Sequence, residues 1–347
     1  MRGGTATLRR ITTEQPLIAL GALLTLTLLS GCGLIGSTAR PTAPQVGGLT
    51  ISSPLKATAS GFPASLAPVG TFEWPRGERE FSLFYWSQGH RVQGYLDVPF
   101  GKGPFPLLVE LHGGSVFSQP PTTFGQPPPE PHSKVGAWSQ TDAANFAWPA
   151  VAVFFPNYAG YGPSDGPVGN VHSNYVDVIN GLTALSHLQG LHLAPHETYL
   201  LGISMGGAVA MMVAEQDKQV QAVSLLSPYP GDIEMMEWLQ SQSALDPTDE
   251  QFLNAFNFYY GGYHGARLSS PKYRENSFSY HSVGRMPILI MAGSSDPVLP
   301  PSLMEMMYQH LHQYDPNVTL KFFPGGHARW SQAIAGAWEA WLYSKGI

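Results

Sequence analysis

The segment that most narrows the fold is Gly202-Ile203-Ser204-Met205-Gly206-Gly207, set between an apolar run, Thr198-Tyr199-Leu200-Leu201, and a run of helical character from Ala208 to Gln216. A strand that becomes a helix within so few residues must bend sharply, and glycines at 202 and 206 permit the bend. Such a turn presents the Ser204 side chain at its tip. A serine hydroxyl is a poor nucleophile alone. It needs a base beside it and N–H groups facing the charge that develops on a substrate.

Flanking segments give the architecture. The 347 residues, 43% hydrophobic and 12% charged, suffice for a large buried core. Phe81–Trp86 and Arg91–Val98 read as a hairpin around Gln88-Gly89. Pro106–Leu111, Ala150–Phe155, Gln221–Leu226, Pro287–Ala292 and Val318–Phe323 read as strands, and the apolar runs among them suit the interior of a parallel sheet. Tyr175–Leu188, Ser302–Tyr314 and Ala328–Ser344 have helical spacing; Trp330, Ile334, Trp338 and Trp341 of the last are available for packing. Strands alternating with helices predict an α/β fold, a mostly parallel sheet with helices on both faces. Residues 115–135 are Pro-rich and irregular, and 231–284 read as a small helical cap. The net charge of −6, without a basic block, argues against nucleic acid as a partner.

The base and acid that Ser204 needs are expected at other strand ends, in the chain order Ser, Asp or Glu, His. Asp296 follows the strand Pro287–Ala292, and His327 follows the strand Val318–Phe323. In this reading His327 takes the Ser204 proton and Asp296 fixes the imidazole tautomer. Asp165 and Asp315 remain alternative acids. His112-Gly113-Gly114, at the end of Pro106–Leu111, supplies one N–H of an oxyanion hole, from Gly114 or alternatively Gly113; Met205 supplies the other. His112 is read as shaping that loop. His187, His192, His196, His264, His281, His310 and His312 show no metal-ligand spacing with a carboxylate partner, so neither metal nor cofactor is expected.

At this point a family resemblance is apparent. Residues from about 80 to 345 resemble an α/β-hydrolase, specifically the catalytic domain of the prolyl oligopeptidase family. The resemblance is carried by Arg91–Pro99 through His112-Gly-Gly, by Asn157-Tyr-Ala-Gly-Tyr-Gly162 with Asp177–Leu182, and by Pro271–Ser277 leading to Ala292–Pro300. It implies an α/β-hydrolase fold and a serine-type peptidase acting through an acyl-enzyme on short peptides or amides, with Ser204, Asp296 and His327 as nucleophile, acid and base. The family's β-propeller has no counterpart in the short segment before residue 80, and position 159 is Ala where the family often has Arg. Gly-x-Ser-Met-Gly-Gly is also widespread among lipases and esterases, so a carboxylesterase acting on small esters is the alternative. A non-catalytic binding lipoprotein is the rival from another class.

The N-terminus reads as a targeting segment. Arg2, Arg9 and Arg10 precede an apolar stretch, Pro16–Leu29, which is shorter than the ~20 residues of a membrane span. Leu29-Ser30-Gly31-Cys32 resembles the lipobox of a bacterial lipoprotein, and Cys32 is the chain's one cysteine. The organisation expected is therefore a signal over residues 1–31, a tether over 32–70 and a catalytic domain over 71–347, exported and held to a membrane through lipidated Cys32. Protein purified from membranes should have a mass that starts at lipid-modified Cys32, and Cys32→Ser should be mis-processed and carry no lipid. An unmodified chain starting at Met1 would contradict this.

Overall fold

The computed structural model describes residues 55–56, 65–72, 78–118, 151–188, 190–260, 270–280 and 286–346. The expected signal segment, Cys32 and most of the tether and of the Pro-rich insertion lie outside the described residues. All described residues belong to one compact unit, Ala43–Ile347. No described helix is long and apolar enough to cross a membrane.

Among the described residues ten strands form one sheet: β1 (Leu55–Lys56), β2 (Ser65–Phe72), β3 (Glu78–Ser87), β4 (His90–Pro99), β5 (Phe105–Leu111), β6 (Ala152–Pro156), β7 (Leu193–Ile203), β8 (Val220–Leu226), β9 (Ile288–Gly293) and β10 (Val318–Phe323). Their order is β1-β2-β3-β4-β6-β5-β7-β8-β9-β10. Neighbours from β1 to β6 pair antiparallel, and those from β6 to β10 pair parallel. This is the α/β-hydrolase arrangement expected. Alternation along the strands divides the core. In β5, Leu107 and Val109 join the larger apolar cluster and Leu108 the smaller; in β9, Ile288 and Ile290 face the larger and Leu289 and Met291 the smaller. The larger cluster takes in helices α1 (Val171–His187), α2 (Met205–Gln216) and α6 (Pro301–His312). The smaller is closed by Ile334, Trp338 and Trp341 of α7 (Gln332–Ser344). β10 is the outermost strand of the parallel half and is only partly buried.

Two boundaries differ from the sequence reading. The sheet begins before Thr71, because β2 pairs with β3 across a register shift between Pro68 and Gly70. Proline and glycine at such an irregularity in an outer strand hide the strand pattern. The last helix starts at Gln332, not Ala328, because Ser331 caps it by accepting from the Ile334 N–H at 3.3 Å. Trp330 lies just ahead of it, edge-on to Trp338 at 5.6 Å.

The region after β8 is helical as expected: α3 (Asp232–Ser241), α4 (Pro247–Tyr260) and α5 (Pro271–Glu275). A fully buried carboxylate ties these helices together. Asp232 accepts from Tyr229 Oη at 2.7 Å, from Asn276 Nδ2 at 3.1 Å and from Tyr260 Oη at the end of α4. Asn276 in turn accepts from the His172 N–H of α1 at 3.1 Å. Burial raises the Asp232 pKa to about 7, although the three hydrogen bonds oppose it. The folded protein thus holds this proton more tightly than the unfolded chain does. The contribution to stability is full below about pH 4, falls as pH rises through 7, and is absent above. Asp232→Asn should remove this part of the pH dependence, so its urea midpoint should fall less than wild type's between pH 4 and 8. Parallel curves would show that Asp232 titrates normally.

Candidate active site

Ser204 joins the end of β7 to the start of α2 with φ 55° and ψ −122°, a conformation costly for a non-glycine residue. Three backbone bonds impose it. The Ser204 N–H donates to Leu226 O at 3.0 Å, and its carbonyl accepts from Gly207 N–H at 2.9 Å and Tyr229 N–H at 2.7 Å. Glycine is required at 206 because a Cβ there would run into the carbonyl oxygen of Leu111, at the end of β5. The strand pairing that sets Leu111 beside Gly202 brings the loop after β5 against this turn.

The structure brings His327 and Asp296 to Ser204. His327 Nε2 lies 2.9 Å from Ser204 Oγ, and His327 Nδ1 lies 2.9 Å from Asp296 Oδ2. The other Asp296 oxygen accepts from the N–H groups of Val298 at 2.9 Å and Leu299 at 3.0 Å. Burial alone would raise the Asp296 pKa. The hydrogen bond and charge of His327, with those two N–H groups, outweigh it and hold the pKa below the usual carboxylate range. An ionised Asp296 makes Nδ1 the donor, which leaves Nε2 to accept the Ser204 proton. The two loops are joined directly: Ser294 N–H donates to Phe323 O at 2.8 Å and Ser295 N–H to Gly325 O at 2.9 Å. The alternative acids lie elsewhere. Asp165 pairs with Arg91 at 3.4 Å on the surface, and Asp315 accepts from the Asn317 N–H at 2.8 Å beyond the end of α6.

The His112–Gly114 loop runs beside Ser204. A Cβ on Gly113 would sit 3.0 Å from Ser204 Cβ, so the loop passes against the serine. As the first residue of α2, Met205 has no intrahelical acceptor for its N–H. His112 is buried among Tyr158, Tyr161 and Phe155, with ring centroids at 4.3, 5.0 and 5.4 Å. Burial lowers its pKa to about 4, so it is neutral, and Nδ1 bonds Gly113 O at 2.7 Å.

Three features escape the sequence reading. Tyr161 Oη accepts from the Ser115 N–H at 2.9 Å, just past the glycines. The sequence signal was the Tyr-x-x-Tyr after β6, read there only as a family motif. Asp232 lies in the cap with no local motif. His310, expected to lack a carboxylate partner, has one: its Nδ1 is 2.6 Å from Glu234 of α3. With Glu237 these two form the one group of potential metal ligands found among the described residues, with ligand atoms within 4.8 Å of one another. A partner 76 positions away in sequence, on another helix, leaves no spacing to detect.

The alpha/beta hydrolase family model matches residues 111–337. Among solved structures, the chain is similar to an acetyl xylan esterase from Paenibacillus sp. R4, with 18% identity over 81% of this chain and 88% of that one and a TM-score of 0.57. It is similar to acetyl xylan esterase 1 from Thermoanaerobacterium sp., with 16% identity over 81% and 87% and a TM-score of 0.54. It is also similar to an esterase of Pyrococcus furiosus, with 14% identity over 76% and 91% and a TM-score of 0.51. No curated protein sequence matches it. At these identities the likenesses speak for the fold, whereas the family match spans well over half of the sequence. The chain belongs to the alpha/beta hydrolase family.

Proposed function

We propose that the protein is a serine carboxylesterase that hydrolyses small esters through an acyl-enzyme on Ser204. The observation that carries this is the unbroken hydrogen-bond chain from Ser204 Oγ through His327 to buried Asp296. In the first half-reaction Ser204 Oγ attacks the ester carbonyl carbon while its proton passes to His327 Nε2. The tetrahedral oxyanion is met by the Met205 N–H and an N–H of Gly113 or Gly114. His327 then protonates the departing alkoxide oxygen, the C–O bond breaks, and alcohol leaves. Water repeats the sequence on the acyl-enzyme, its proton going to His327, and the acid product and free serine are restored. Asp296 holds the tautomer throughout and offsets the imidazolium charge.

Ester over peptide is supported by the structural neighbours, which are named esterases. The peptidase reading rests on sequence motifs alone. Export and lipid anchoring at Cys32 belong to the same proposal and are supported by the N-terminal signal.

A panel of p-nitrophenyl esters and peptide p-nitroanilides tests the reading. Short-chain esters should turn over fastest. Ser204→Ala and His327→Ala should each lose on the order of 10⁴–10⁶ in rate, and their combination hardly more, because the triad acts as a unit. Asp296→Asn should lose about 10⁴. Wild-type turnover by Ser204→Ala would overturn the mechanism, and faster cleavage of the anilides would return the peptidase.

A further inference from the structure

The loop His112–Phe117 must place an N–H over the substrate oxygen, yet its glycines give it no stiffness of its own. Contacts with three other elements replace that stiffness. At one end the His112 ring is packed among Tyr158, Tyr161 and Phe155. At the other, Ser115 Oγ accepts from the Phe117 N–H at 3.3 Å and donates to the Phe117 carbonyl at 2.8 Å; the Phe117 ring stacks on Tyr259 of α4 at 4.9 Å. Between them stands Tyr161. Its hydroxyl takes the Ser115 N–H at 2.9 Å, and its ring fills the space beside Gly114, where a Cβ would lie 2.9 Å from Tyr161 Cζ.

Tyr161 is itself fixed. Ser164 N–H donates to its carbonyl at 3.1 Å, and Ala159 N–H donates to buried Asp177 of α1 at 2.7 Å. Burial pushes its hydroxyl up to about 12, although the Ser115 bond opposes this, so it stays neutral over the working pH range. Ser115 N–H is thereby occupied and does not compete for the substrate oxygen.

We infer that Tyr161 is a positioning residue for hydrolysis at Ser204: by gripping Ser115 and bounding Gly114, it holds the loop's N–H at the height of the developing oxyanion. The inference rests on the serine-hydrolase reading above. A displacement of about 1 Å at such a donor costs on the order of 100-fold in rate, and it acts on the transition state more than on the bound ester.

Tyr161→Phe removes the hydroxyl and keeps the ring. With active sites counted by fluorophosphonate labelling of Ser204, kcat on p-nitrophenyl acetate should fall about 10–100-fold with KM little changed. Affinity for phenylboronic acid, whose tetrahedral adduct presents an oxygen to the same donors, should weaken by a similar factor. Gly114→Ala keeps the N–H, lies on an exposed residue and presses a methyl against Tyr161. It should show the same split, and the double variant should lose less than the product of the two, since both displace one loop. Wild-type kcat and boronate affinity in Tyr161→Phe would overturn the inference, as would a loss confined to melting temperature with the rate per labelled site unchanged. If Tyr161→Phe does not fold, wild-type kcat in Gly114→Ala overturns it alone. Turnover that survives Ser204→Ala, or a label on another residue, would instead bring down the underlying mechanism.

Discussion

The left-handed backbone at Ser204 is the constraint on which the remaining structure depends. A serine does not rest there of its own accord; it is held by Leu226 from the neighbouring strand and by Gly207 and Tyr229, which both donate to its carbonyl. Those partners have to be rigid, and each is. Leu226 ends a strand buried between β7 and β9, Gly207 lies in the first turn of α2, and Tyr229 is anchored through its hydroxyl to buried Asp232. The sheet and the cap thus both serve one strained residue, and the strain is stored where a side chain must be offered rather than packed.

The electrostatics follow the same economy of parts. Asp296 is ionised because His327 and two backbone N–H groups meet its two oxygens, while Asp232, more deeply buried, is met by three neutral donors and keeps its proton to a much higher pH. Two things differ, the depth of burial and the imidazole. Without a partner able to carry positive charge, hydrogen bonds alone do not offset the loss of water around a carboxylate. The placement of His327 therefore separates the carboxylate suited to the proposed chemistry from the one that holds the cap.

The central features legible in the sequence were those written in local order: the turn at Ser204, the strand ends that deliver Asp296 and His327, the glycine pair after β5, and the alternation of apolar strands with helices. Each follows from residues adjacent in the chain. What escaped was written across the chain. Tyr161 reaches Ser115 over 46 positions and His310 reaches Glu234 over 76, and no spacing rule joins them. β2 was hidden for another reason: Pro68 and Gly70 interrupt its pattern, and pairing with β1 and β3 discloses it as a strand. The proposal of an ester substrate rests on neither periodicity nor geometry but on likeness to solved esterases.

The position of β10 has a further consequence. The proposed base follows the outermost strand of the parallel half, which among the described residues pairs on one side only, whereas the proposed nucleophile follows β7, deep in the sheet. Edge strands open at a smaller free energy than central ones. A partial opening that releases β10 would carry His327 away and leave Ser204 in place, so the molecule would pass through a folded, silent state below its melting temperature. Under heat the enzyme would fail from its margin inward, with most of its core still intact.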